Sequence, residues 1–341
     1  MIKFQPHLSL IYSNSNIMED ILFKKFQFLI IACLCLTSTM AQDLSDRKVT
    51  DLVLFPNQGE FFMSFSLYSD KTEYDWEYLS RNYSSSEITS SGSNIAFMYS
   101  LTEMFAIGLE LNYVSENKQK TTFGPATTSN GQTYEYKSDG LMNPTIALVY
   151  RALDTQTDGY DLNISLSVAP KIEDSESPTT TQDGNVAEGA TNFSAGLLWG
   201  KRVDAFSWAA GFSLQSYGKA ESKDVDDGDL TTASSYRTFT LTGKLKWDIT
   251  ERFDLYLGGE LGNTGDFKVT YDDGTFIEYE NASSVSLQFG SNIKLTESLY
   301  LNLDLIAAGV GDREVKDETN TIVTDTERSY GKFSLGLLAN F

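Results

Sequence analysis

The stretch Phe333-Ser334-Leu335-Gly336-Leu337-Leu338-Ala339-Asn340-Phe341 decides the fold. Read as a β-strand, it places Phe333, Leu335, Leu337, Ala339 and Phe341 on one face, and Lys332, Ser334, Gly336, Leu338 and Asn340 on the other. One face is greasy and the other largely polar. A helix would need apolar residues three and four apart, and this stretch repeats every two.

The same period recurs upstream. It runs through Phe105, Ile107, Leu109, Leu111 and Tyr113; through Tyr160, Leu162, Ile164, Leu166 and Val168; and through Phe206, Trp208, Ala210, Phe212 and Leu214. It returns in Phe239, Leu241, Gly243, Leu245 and Trp247, and in Leu299, Leu301, Leu303, Leu305 and Ala307. Strands are expected at 60–69, 88–101, 105–116, 139–151, 160–171, 190–202, 206–218, 235–249, 253–265, 282–295, 298–311 and 329–341, twelve in all. Their connections alternate in length. The joins near 102–104, 154–159, 203–205, 250–252 and 296–297 are short, whereas 70–87, 117–138, 172–189, 219–234, 266–281 and 312–328 are long and rich in Asp, Gly, Ser and Thr. Short turns on one side and long loops on the other are the organisation of outer-membrane barrels. The expected class is all-β, a transmembrane antiparallel up-and-down barrel of about 12 strands over 60–341. From residue 42 onward the apolar runs, such as Leu305 to Val310, are far shorter than the roughly 20 residues of a spanning helix. Only a closed barrel of such strands could cross a membrane.

The amino-terminal segment reads as a secretory signal. Lys24 and Lys25 precede the apolar run Phe26 to Leu36, and Thr37-Ser38-Thr39-Met40-Ala41 supplies small residues before a cleavage expected after Ala41. Residues 1–41 are therefore expected to be a presequence, with Met18 a candidate true start; Ile30-Ile31-Ala32-Cys33 offers the alternative of lipoprotein-type cleavage before Cys33. Residues 42–59 lack strong periodicity and read as a leader or a luminal plug.

Removing 1–41 takes away both cysteines and the single histidine, His7, and moves the net charge from −21 to −22. Such acidity is incompatible with a phosphate-binding surface, so nucleic acid is excluded. Without histidine the chain lacks the usual general base of barrel hydrolases, so no enzymatic activity is expected. The six long joins, with their flanking residues, carry 29 acidic and 12 basic residues, so most of the negative charge belongs to the predicted extracellular side.

On the inward-facing positions stand Glu110, Arg151, Lys244, Lys246, Asp248, Glu260, Lys294, Asp304 and Lys332. A lysine or arginine at the bilayer midplane on the lipid face costs about 2–4 kcal/mol, so these residues are expected to line the lumen. They suit either a space-filling network of ion pairs or a wetted path with a solute preference. Asp224, Asp226, Asp227 and Asp229 surround Gly228 and offer hard oxygen ligands for Ca2+, the one cofactor the sequence suggests; the motif lacks the closing Glu and flanking helices of an EF-hand. Asp272-Asp273-Gly274-Thr275 between two strand-like runs signals a hairpin. Aromatics near predicted strand ends, among them Tyr99, Phe105, Tyr150, Phe253 and Tyr300, fit interfacial girdles.

The alternation of Phe333, Leu335, Leu337 and Ala339 leading to Phe341 resembles the targeting signature read by the outer-membrane barrel-insertion machinery. Ser138-Asp139-Gly140-Leu141-Met142-Asn143-Pro144-Thr145 resembles a strand motif of outer-membrane proteins of the meta-pathway of phenol degradation, with Met142-Asn143 in place of that family's Gly-Asp pair. Gln42 after Ala41, with the acidic loops, resembles Bacteroidota surface proteins. These resemblances imply a cell outer membrane location of porin-like type, with the bilayer and its lipopolysaccharide, the insertion machinery and a small-molecule solute as partners. The expected function is a channel or passive transporter for small solutes. The alternative is a non-conducting structural or adhesive barrel displaying acidic loops.

Overall fold

The computed structural model describes residues 50–78, 81–225, 228–319 and 322–341. The presequence over 1–41 with both cleavage sites, residues 42–49, and Asp226 and Asp227 of the acidic loop lie outside the described residues. Twelve strands form the wall: β1 (Phe61–Tyr78), β2 (Arg81–Ser100), β3 (Phe105–Phe123), β4 in two segments (Thr133–Leu141 and Thr145–Leu153), β5 (Asp161–Ala169), β6 (Asn192–Val203), β7 (Phe206–Tyr217), β8 (Tyr236–Thr250), β9 (Phe253–Thr264), β10 (Ala282–Thr296), β11 (Leu299–Val310) and β12 (Ile322–Asn340). Each pairs antiparallel with its sequence neighbours, and β12 pairs with β1 from Phe62↔Asn340 to Glu77↔Thr324, which closes the barrel. At the rim of this seam the Phe61 N–H donates to the Phe341 carbonyl at 3.0 Å, and the Phe341 N–H donates back to Phe61 at 2.8 Å.

The alternation sorts side chains as the sequence demands. Leu67, Ile107, Leu109, Phe212, Leu287 and Phe289 stand exposed on the outer surface, Leu287 at 63% of its free area. In water so large an apolar surface would aggregate; against lipid it is the solvated state. Ala339 differs from its neighbours in being buried, because its short side chain sits between Met63 and Leu299 in register. Aromatic pairs ring the short-turn edge, with Phe61 5.6 Å from Phe97 and Phe105 5.0 Å from Tyr150.

The short turns satisfy their own backbones. Asp204 supplies the positive φ of 55° that the tight β6–β7 turn requires. Between β4 and β5, α1 (Thr155–Asp158) is capped by the Asp154 carboxylate, which accepts the Gln156 N–H at 3.0 Å, and closed by Gly159 at φ 76°.

The long connections depart from the expected loops. β1 and β2 run on as one tall hairpin with Tyr78 opposite Arg81. Further ribbons rise over 220–224 with 230–233 and over 267–270 with 276–279; 313–317 pairs back onto β12. Neighbouring ribbons also pair with one another, 232–233 with 269–270 and 277–279 with 315–317. Two parallel contacts, 138–139 with 184–185 and 175–177 with 222–224, complete this collar. Thr-, Tyr- and Val-rich runs such as Phe267-Lys268-Val269-Thr270 favour pairing, and each ribbon covers an edge its neighbour would leave open.

Replacing the outward Phe289 with Arg should destabilise folding into phospholipid vesicles by about 2–4 kcal/mol. The adjacent inward Gln288→Arg should change it little, because its guanidinium meets Asp304. Urea titration of the vesicle-inserted protein checks both.

Candidate functional site in the lumen

The chain enters the barrel through its short-turn mouth before β1 begins. Val53 and Phe55 are buried there, Phe55 against Ala106 and Val149 with Met98 alongside. The Arg151 guanidinium lies over the Phe55 ring at 4.6 Å. Asn163 donates its side-chain amide to the Leu54 carbonyl at 3.1 Å. Gly200 makes the approach possible, since a Cβ at that position would stand 2.6 Å from Val53 Cγ2.

Charge holds the same segment from the opposite wall. Lys246, with 0% of its side chain exposed, donates to the Thr50 carbonyl at 3.2 Å and to Thr50 Oγ1 at 3.1 Å. Its ammonium lies 3.2 Å from Asp248, 3.7 Å from Asp254 and 3.8 Å from Asp51. Arg202 joins Asp248 at 3.0 Å and reaches Asp51 at 4.0 Å. A buried ammonium is tolerable only when so surrounded, and removing it would strand its carboxylates at a cost of roughly 3–5 kcal/mol.

From this cluster a chain of side-chain hydrogen bonds climbs the β9–β11 wall. Asn292 donates to Asp254 at 2.6 Å and Asn302 donates to Asn292 at 2.9 Å. Tyr256 donates to Asp304 at 3.2 Å, and Gln288 donates to the same carboxylate at 3.0 Å. Arg151 also pairs with Asp154 at 3.3 Å, and Lys294 pairs with the exposed Glu297 at the β10–β11 turn. Lys244 shares the inner face of β8, opposite Gly258. Glu110 accepts from Asn94 at 2.6 Å and Glu260 from Thr242 at 3.3 Å, both away from the base cluster. Lys332 stands apart, over the Tyr68 ring. The structure thus brings Lys246, Asp248 and Asp304 into one network and leaves the other candidates at separate positions.

Sequence reasoning missed Asp51, Phe55, Arg202, Asp254 and Tyr256. Asp254 and Tyr256 carry the signal that revealed their neighbours, since they alternate with Phe253, Leu255 and Leu257. Nothing in the pattern around Phe55 announces a luminal position.

Between the β12–β4 wall and residues 185–187 the lumen holds a cavity of about 450 Å3. The 170–191 connection turns against it, tied by Asn143, whose amide donates to the Ala190 carbonyl at 2.7 Å beside the break in β4. Pro144 at that break has no N–H to give the ladder. Among the described residues no carboxylate cluster of metal-binding type is present; the Asp224 N–H donates to the Asp229 carbonyl at 2.9 Å.

Against known proteins, no family model and no curated sequence matches the chain. Solved structures do. An outer-membrane channel from Pseudomonas putida F1 is similar with a TM-score of 0.54 at 11% identity, over 87% of this chain and 100% of that one. The transport unit of the autotransporter AIDA-I from Escherichia coli is similar with a TM-score of 0.54 at 11% identity, over 89% of this chain and 95% of that one. The chain folds as an outer-membrane β-barrel. At this identity the likeness is one of fold.

The collar of this barrel carries a stacked aromatic column. Tyr217 lies 4.4 Å from Tyr236, Tyr236 5.0 Å from Phe267 and Phe267 4.6 Å from Tyr279, with Arg313 4.6 Å from the Tyr279 ring. Burial pushes the Tyr236 phenol up to about 12. Beside the column Glu188 is also raised by burial, although the Asn192 amide donates to it. Since its folded pKa exceeds the unfolded value, Glu188 favours the packed collar at low pH, and that contribution is lost as pH rises through the folded pKa. Protease cleavage of the 171–191 connection should therefore increase as pH rises above the ordinary carboxylate range, and Glu188→Gln should flatten the profile.

Proposed function

We propose that the protein is a passive outer-membrane channel for small solutes, throttled at its periplasmic mouth by residues 50–57. The observation that carries this reading is the contrast within the lumen: a polar, cavity-bearing middle above a base where Phe55 and the Lys246 cluster are packed out of solvent. A barrel built only as a scaffold would have no need to keep the middle polar and unfilled. The segment is held at Thr50, Asp51, Leu54 and Phe55, which makes it a constriction that limits flow by size. Twelve strands give a diameter between the side-chain-filled barrels of eight and the aqueous pores of sixteen, so a short segment suffices to narrow it. The fold shared with the Pseudomonas channel supports the reading without naming a solute.

The second reading, an adhesive surface barrel, is favoured by the acidic collar, whose neighbouring ribbons pair with one another. Planar-bilayer recording separates the two. A channel should conduct, and Phe55→Ala with Asp51→Asn should raise the unit conductance several-fold, because the pair removes an apolar anchor worth about 3–5 kcal/mol at full burial and one of the ionic ties. Absence of conductance in both proteins would refute the channel and leave the adhesive reading.

A further inference from the structure

The mid-lumen cavity has a wall of unusual balance. Asp70 and Lys332 occupy directly paired positions of β1 and β12, so their side chains share the inner face. The Lys332 ammonium rests 4.5 Å from the centroid of the Tyr68 ring, and both residues line the cavity. Beside it, Asn112 lies within reach of the Tyr68 hydroxyl and donates its amide to Met142 Sδ at 3.1 Å, while its Oδ1 is buried with no hydrogen-bond partner among the described residues. Its neighbour Asn117 is engaged at both ends of its amide, accepting from Ser90 at 2.9 Å and donating to Ser138 at 3.0 Å. The cavity therefore presents one carboxylate, one ammonium and one orphan amide oxygen, within a volume of about 450 Å3.

We infer that this cavity is a binding site for a small zwitterion, an amino acid or dipeptide, on the path through the channel; the inference rests on the channel reading above. The solute's ammonium donates to Asp70 and to Asn112 Oδ1, and its carboxylate accepts from Lys332. Buried acceptors without donors are rare in folded proteins, and an ammonium supplies three N–H groups. A hydrophobic solute would strip water from Asp70 and Lys332 and return nothing. A neutral sugar could satisfy Asn112 but would bring no counter-charge to either ionic group. A solute with a single charge would match one and be repelled by the other. The volume falls in the range of small-molecule pockets, with room for a dipeptide.

Two measurements test this and keep it separate from the channel reading. Titration calorimetry of the detergent-solubilised protein with glycylglycine should show binding that weakens about tenfold in Lys332→Gln and in Asp70→Asn, the worth of one charge-assisted hydrogen bond. Swelling of proteoliposomes should be faster in glycylglycine than in a size-matched neutral sugar, and the two substitutions should reduce the peptide rate towards the sugar rate while leaving the sugar rate unchanged. The double exchange Asp70→Lys with Lys332→Asp, which keeps both charges, should retain the preference. Glycylglycine failing to bind in a protein that conducts salt would overturn the site and leave the channel. Binding without any conductance would overturn the channel and leave the site. Substitutions that slow peptide and sugar alike would assign Asp70 and Lys332 to the structure of the wall alone.

Discussion

In hydrocarbon, every backbone N–H and C=O must find its partner inside the protein, and the seam between β1 and β12 is where this chain meets that demand. Without that seam two long strand edges would face lipid unpaired. With it, the outer surface can be as apolar as Leu287 and Phe289 make it, because no polar backbone remains to be hydrated there. Closure also creates the inside. Once alternate residues must point at lipid, the remaining half have nowhere to go but the lumen, and their polarity becomes a property of a confined space.

That confinement gives the two ends of the lumen different physics. At the base, five charges from the entering segment, β6, β8 and β9 lie within mutual reach, and Lys246 is withdrawn from solvent altogether. Coulombic attraction is strong there because water is scarce, so the entering segment is held by a few residues. Higher up, Asp70 and Lys332 face open volume, where the charges remain available to something that enters.

Much of the fold was legible because a period of two is unambiguous when one face must meet lipid. Phe105 to Tyr113 and Leu299 to Ala307 had no alternative placement, and Lys246, Asp248 and Asp304 followed from parity within the same strands. The collar was less visible, since above the membrane both faces of a strand can be polar; the run from Asp70 to Glu87 therefore read as a loop although it forms the top of a hairpin. In sequence the base segment reads as either a leader or a luminal plug for a different reason. Phe55 is anchored by Ala106, Val149 and Arg151, which are distant in sequence, so no local pattern encodes its position.

The lateral pairing of the collar ribbons constrains how such a surface can evolve. Loops of a barrel usually change length independently, each bounded only by its own hairpin. Here 175–177 is hydrogen-bonded to 222–224, 232–233 to 269–270, and 277–279 to 315–317, so an insertion within any one of these stretches would throw its neighbour out of register. Variation is thereby pushed to the tips, such as Asp272-Asp273-Gly274 and the span 179–183, where the chain turns without a lateral partner to satisfy. The face this protein shows to its surroundings is a fixed frame with a few freely editable points.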